Sequence, residues 1–175
     1  MEGSFMYAIG DKVVYPMHGA GVIDSIEEKE FLGQKSLYYV LRFPVGGMKV
    51  MVPVDNVVEI GIRDVISDAK AEEVMDSFSL KADESNDNWN KRYRDNMFKI
   101  KSGDIFEVAS VVRSLVSRER ERGLSMGERK MLSNARQILI SELVLAKGAE
   151  PTEIESRINL TMGAGIAPIG AQRGD

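Results

Sequence analysis

The sequence contains no cysteine, one histidine and one tryptophan in 175 residues. Without cysteine there is no disulfide framework and no thiolate metal site. His18 stands in a glycine-rich turn, Met17-His18-Gly19-Ala20-Gly21. No second histidine and no spaced carboxylate cluster completes a metal site or a catalytic pair around it. No apolar run approaches the roughly 18 residues that span a bilayer. The amino terminus, Met-Glu-Gly-Ser-Phe-Met-Tyr, lacks the basic and apolar regions of a signal peptide. Gly19-Ala20-Gly21 lacks the lysine and hydroxyl of a phosphate loop, no GxGxxG opens a helix, and no serine occupies a nucleophile elbow. The expectation is a cytoplasmic, non-enzymatic protein with no metal, no cofactor and no membrane contact.

The formal net charge of −4 argues against a stand-alone, high-affinity DNA binder, but it averages over an uneven pattern. Residues 1–64 carry 6 Lys/Arg against 9 Asp/Glu, and residues 65–88 carry 2 against 7. Residues 89–136 carry 12 against 6, a net of +6. A basic block inside an acidic chain is a localised electrostatic footprint. The run Arg118-Glu119-Arg120-Glu121-Arg122 alternates in sign and reads as a solvated helix face.

Two modules follow from the change in hydrophobic period. Short β-rich runs, Lys12–Tyr15, Val22–Glu28, Ser36–Phe43 and Met48–Pro53, are separated by glycine turns. They predict a small barrel of SH3 or Tudor type over residues 1–64. Helical spacing dominates residues 65–162. Ser67 or Asp68 opens a first helix, Asp87 a second that carries Trp89, and Asp104 a third with Ile105, Val108, Val112 and Leu115 as its apolar stripe. Ser125-Met126-Gly127-Glu128 is a capping box for a fourth helix, ended by Gly148. Thr152-Glu153-Ile154-Glu155 predicts a second box for a short last helix. Residues 163–175, rich in Gly and Ala, form a flexible tail. The fold class is thus α+β, a small β module followed by an all-α helical module.

Two surfaces carry the functional expectation. One is the exposed side of the β module around Lys29, Phe31, Met51 and Pro53. Proline in a strand points to a sheet edge, and an edge bearing Met and Phe can take up a partner. The other is Asn88-Trp89-Asn90-Lys91-Arg92-Tyr93-Arg94, joined by Arg129 and Lys130 near a helix N-terminus, where backbone N–H groups also attract phosphate. A large flat side chain flanked by cations suits wedging against a kinked base step. From the heptapeptide alone, a core tryptophan beside a solvated basic face is equally open. About four phosphate contacts give a salt slope near −3.6, roughly a hundredfold loss between 50 and 200 mM salt. Such a patch needs delivery to DNA by a partner already there.

In order along the chain, Gly10-Asp11-Lys12-Val13-Val14-Tyr15-Pro16 with His18-Gly19, Met51-Val52-Pro53, Asn88–Arg94, Lys101-Ser102-Gly103-Asp104 and Leu124–Leu132 resemble the CarD/CdnL family of bacterial transcription regulators. The resemblance runs from about residue 8 to 160. It implies a Tudor-like module that binds the lobe of the RNA polymerase β subunit, as in transcription-repair coupling factors. It also implies a helical module on promoter double-stranded DNA at the upstream edge of the −10 element. There the tryptophan matching Trp89 wedges into the minor groove and stabilises the open complex. Lys91, Arg92, Tyr93, Arg94, Arg129 and Lys130 would form the DNA-binding set, and Lys29, Phe31, Met51 and Pro53 the polymerase-binding set. Some family members carry arginine at the Met51 position, so an apolar contact is expected here. The protein is expected to act as a monomer. The alternative is a protein–protein adaptor that uses the Trp-bearing face without touching DNA.

Overall fold

The computed structural model describes residues 5–82 and 88–163. Strands β1 (Lys12–Tyr15), β2 (Gly19–Phe31), β3 (Gln34–Arg42), β4 (Lys49–Pro53) and β5 (Arg63–Asp64) form one antiparallel sheet in the order β4-β3-β2-β1-β5. Its edges are β4 and β5. A one-turn helix α1 (Val57–Ile60) links them. A bulge at Asp24 interrupts the β2–β3 register, which bends the strand and raises its twist. The bulge presents the Asp24 carboxylate to Arg42 at 3.4 Å and Lys49 at 3.2 Å. At the β2–β3 turn Leu32 (φ 51°) and Gly33 (φ 79°) both take left-handed backbone, the geometry of a two-residue hairpin loop that matches strand twist. One face of the sheet closes over Val13, Ile23, Tyr39, Leu41, Phe43 and Val52, all buried.

Helices α2 (Asp68–Asp76), α3 (Trp89–Lys101), α4 (Ile105–Glu121), α5 (Met126–Lys147) and α6 (Pro151–Met162) follow. Ser67, Asp104 and Ser125 cap α2, α4 and α5 as the sequence predicts. The predicted stripe of Ile105, Val108, Val112 and Leu115 is buried against Ala135, Leu139 and Leu143 of α5. Two expectations change. Asp87 lies outside the described residues, and Asn88 caps α3 by accepting from the Lys91 N–H at 3.2 Å. The Thr152 box does not form, because α6 starts two residues earlier than a Thr152 cap would place it, at Pro151 with Glu150 as its uncapped N-terminal neighbour. Proline at the first helical position brings its φ pre-set and no N–H to satisfy. The expected tail lies outside the described residues from residue 164 onward.

At the far end of α5, Lys147 bonds Asp68 and Glu72, while Arg157 of α6 forks onto Glu72 at 3.0 and 2.9 Å. Hydrogen bonds from Arg157 first, then Lys147, hold the Glu72 carboxyl at about 2.

The two modules meet along α5. The Ser141 hydroxyl accepts from the Ala20 N–H of β2 at 2.9 Å and donates to the Ile138 carbonyl at 2.7 Å. Glu142, 1% exposed, is forked by Arg63 of β5 at 2.7 and 2.7 Å and accepts from the Ile66 N–H at 3.0 Å. The Lys12 ammonium reaches the Leu145 carbonyl at 3.2 Å. Gly19 is required at this seam. A β-carbon there would lie 2.6 Å from the Ser141 hydroxyl oxygen, and its φ of +107° disfavours other residues.

Gly19→Ala is therefore expected to cost about 1–3 kcal/mol through crowding and backbone strain. At roughly 2–4 °C per kcal/mol for a chain of this size, a calorimetric melt resolves it. An unchanged melting temperature would mean that α5 is not held this closely.

Candidate nucleic-acid interface

The N-termini of α3 and α5 converge, and Trp89 bridges them. Its indole N–H donates to the Ser125 hydroxyl at 3.0 Å, and its ring stacks on Tyr93 with centroids 5.0 Å apart and planes at 21°. Gly127 of α5 faces the edges of both rings, so that an added β-carbon would just touch each of them. Trp89 is nevertheless 42% exposed. It is neither a core residue nor a loose one: its polar atom is satisfied, one face is stacked, and much of the indole meets solvent.

Ser125 is the hub of this arrangement. Its oxygen also accepts from the Glu128 N–H at 3.2 Å, which caps α5, and its hydroxyl lies 3.2 Å from a Glu128 carboxylate oxygen. Glu128, 2% exposed, is forked by Arg92 at 2.8 and 3.0 Å. Hydrogen bonding to Arg92 is the largest cause holding the Glu128 carboxyl below its ordinary range, outweighing the opposing effect of burial. Charge-assisted, bidentate pairs of this kind combine energy with fixed geometry.

The expected DNA-binding residues therefore separate. Lys91, Arg94, Arg129 and Lys130 are exposed, Tyr93 is half-buried beneath the tryptophan, and Arg92 is 5% exposed. The expectation of Arg92 as a surface cation is corrected: its guanidinium is engaged with Glu128 inside the α3–α5 seam. The helical wheel carried that signal, since Arg92, Asn96 and Ile100 recur at four-residue spacing and all three are buried. The sequence reading placed Arg92 by its charge and missed the side of the helix it occupies. It also missed Ser125 as the partner of the indole. Two helix N-termini, each a partial positive charge, meet among four exposed cations.

On the sheet, pairing places the four expected contact residues on one face. Met51 lies opposite Val40, Pro53 opposite Tyr38, Lys29 opposite Ser36 and Phe31 opposite Gln34. With side chains alternating along each strand, these positions share a side. Met51 is 43% and Phe31 72% exposed, Lys29 is exposed and Pro53 half-buried. They run from edge strand β4 to the tip of the β2–β3 hairpin. His18 packs edge-on against Tyr15 at 4.5 Å, a turn residue in an aromatic contact. Among the described residues no group of three or more His, Asp or Glu side chains converges on a metal site. No described helix is long and apolar enough to cross a membrane.

A sheet module with an open edge is clamped to a helical module that displays an aromatic among cations. The family models described as "CarD-like/TRCF RID domain" and "CarD, C-terminal domain" match residues 7–66 and 73–159. The chain is 44% identical over 151 residues to the putative transcription factor YdeB of Bacillus subtilis, covering 86% of this chain and 99% of that protein. A solution structure of the 72-residue N-terminal domain of Myxococcus xanthus CarD is 40% identical, covers 36% of this chain and 84% of that one, and superposes with a TM-score of 0.31. The chain belongs to the CarD family, with a five-stranded antiparallel sheet module ahead of its helices.

The Glu128–Arg92 pair makes the stability of the α3–α5 seam depend on pH on the acid side. Because the folded state holds the Glu128 carboxyl below its ordinary 4.5, the pair contributes stability that is complete above that value. The contribution is lost as pH falls through the depressed value. Glu128→Gln should melt well below wild type at pH 7, by several degrees, with the gap narrowing steadily below pH 4.5. A gap independent of pH would show that the ion pair is not its source.

Proposed function

We propose that this protein is a transcription regulator that docks on the RNA polymerase β-subunit lobe through the β4 face and stabilises the promoter open complex through Trp89. The observation that carries the reading is the state of Trp89, exposed but pre-oriented at the meeting point of two helix N-termini. A wedge that must insert into a partly unstacked base step gains from being ordered beforehand, since little freedom remains to be lost on binding. Lys91, Arg94, Arg129 and Lys130 hold phosphates on either side, which positions the wedge without reading sequence. Arg92 acts from within, by fixing α3 on α5. The sheet supplies the other contact: Met51 and Phe31 give apolar area, Pro53 and the edge strand give the docking line, and Lys29 gives one charge. The family match to a TRCF-type RID domain over residues 7–66 supports the polymerase as that partner.

Energetically, unstacking a base step costs a few kcal/mol, and a side chain filling the gap offsets part of it. Preference for the melted state over the closed one is what shifts the promoter equilibrium. If the wedge offsets about 1.4 kcal/mol, the open complex lives about tenfold longer.

The decisive measurement is the lifetime of polymerase–promoter open complexes challenged with competitor. Wild type should lengthen it, and Trp89→Ala should lose about that tenfold while binding polymerase normally. An unaltered lifetime with Trp89→Ala would instead favour an adaptor that uses this face for protein. In the same assay at graded salt, Arg129→Ala should reduce the salt slope of the stabilisation by about 0.9. A slope identical to that of wild type would remove Arg129 from the phosphate contacts.

A further inference from the structure

We infer that α5 is a rigid strut that fixes the distance between the two binding surfaces, and that Arg63 and Glu142 are positioning residues for Trp89. The inference rests on the function proposed above. Two carboxylates of α5 are almost wholly buried, Glu128 at 2% and Glu142 at 1% exposed, and each is forked by an arginine from another element. Arg92 brings α3, with its tryptophan, onto Glu128 at 2.8 and 3.0 Å. Arg63 brings the sheet onto Glu142 at 2.7 and 2.7 Å. The two carboxylates are 14 residues apart in one uninterrupted 22-residue helix. That spacing is about 21 Å along the axis and about 40° around it.

Neighbouring contacts leave the sheet-side fork little freedom to rotate. The Arg63 Nε–H donates to the Gly103 carbonyl at 2.9 Å, at the turn between α3 and α4, so one guanidinium spans the sheet, α5 and the helical turn. Ser141 sits directly over Gly19, and Lys12 closes on Leu145. A flexible tether between two sites would serve affinity by raising effective concentration. A strut does more: it sets where the second site lies once the first is bound. With polymerase holding the sheet, α5 leaves Trp89 one place to be, and little ordering cost remains at insertion.

The test uses the absence of cysteine in this chain. Exposed Lys35 on the hairpin and Glu121 at the end of α4 are replaced by cysteine and labelled for distance measurement by pulsed electron spin resonance. The labelled wild type should give one narrow distance distribution, and Arg63→Ala a broad one. In the same preparations, Arg63→Ala should bind core polymerase without DNA within twofold of wild type and leave the Trp89 fluorescence spectrum unchanged. Its open-complex lifetime should fall at least fivefold, towards that of Trp89→Ala. Arg63→Lys, which keeps the charge and one hydrogen bond, should recover part of the lifetime. Glu142→Gln approaches the same fork from the buried side and should reproduce the broadening. A broad distribution with an unaltered lifetime would overturn the positioning role. A narrow distribution in both Arg63→Ala and Glu142→Gln would overturn the strut. If the wild type itself fails to lengthen the lifetime, the proposed function fails first and the wedge-positioning role falls with it, whatever the distances.

Discussion

The structure depends on a guanidinium–carboxylate fork used twice on one helix, buried on both sides at Arg92–Glu128 and reaching solvent on the arginine side at Arg63–Glu142. Taking charges out of water is expensive, for both partners at Arg92–Glu128 and mainly for the carboxylate at Arg63–Glu142, and the attraction offsets the cost only where geometry is good and the remaining hydrogen-bonding atoms are satisfied. Both forks meet that condition. Glu142 also accepts a backbone N–H, and Glu128 also receives a serine hydroxyl within a helix cap. Apolar side chains of equal volume would hold helices together as firmly, but would tolerate sliding. An arginine fork accepts a carboxylate in one plane and one direction. What these pairs contribute beyond cohesion is therefore register, between α3 and α5 at one end and between sheet and helix at the other.

The exposed surfaces are built on that rigidity. In the proposed role Trp89 would fail on a helix free to roll, and it would be a poor surface residue if its indole N–H lacked a partner. Ser125 resolves the second problem with the oxygen that also caps α5. The same economy holds on the sheet, where a bulge at Asp24 twists β2 and also places a carboxylate between Arg42 and Lys49. The acidic charge of the whole chain remains compatible with a DNA-facing role, because the four exposed cations gather near one pair of helix termini.

Much of this was legible in the sequence. The switch from period two to helical period near Asp64, the Ser67, Asp104 and Ser125 caps, and the apolar stripe of α4 follow from local chemistry that tertiary contacts reinforce. The exposed positions of Lys29, Phe31 and Met51 follow from strand alternation. What escaped was long-range pairing of polar residues. Charge suggested that Arg92 faces solvent, and nothing local says that a glutamate 36 residues later lies inside to meet it. Glu142 gave a clue, standing between Ser141 and Leu143 in an otherwise apolar stretch, but its partner Arg63 belongs to a two-residue strand that no periodicity reveals. The start of α6 was misplaced because a capping pattern competed with a proline one residue earlier, and the proline prevailed.

The open edge of β4 has a consequence for how the protein behaves towards copies of itself. Any strand left unpaired for a partner is also a template on which an identical strand can grow. Here the edge is five residues long, begins with Lys49 and ends with Pro53, which cannot donate to a ladder. Two such edges brought together antiparallel would set a proline and a lysine at each end and leave only a few residues to pair. The strand proposed to receive a partner thus also limits self-association, and discrimination between the two would rest on a single short edge.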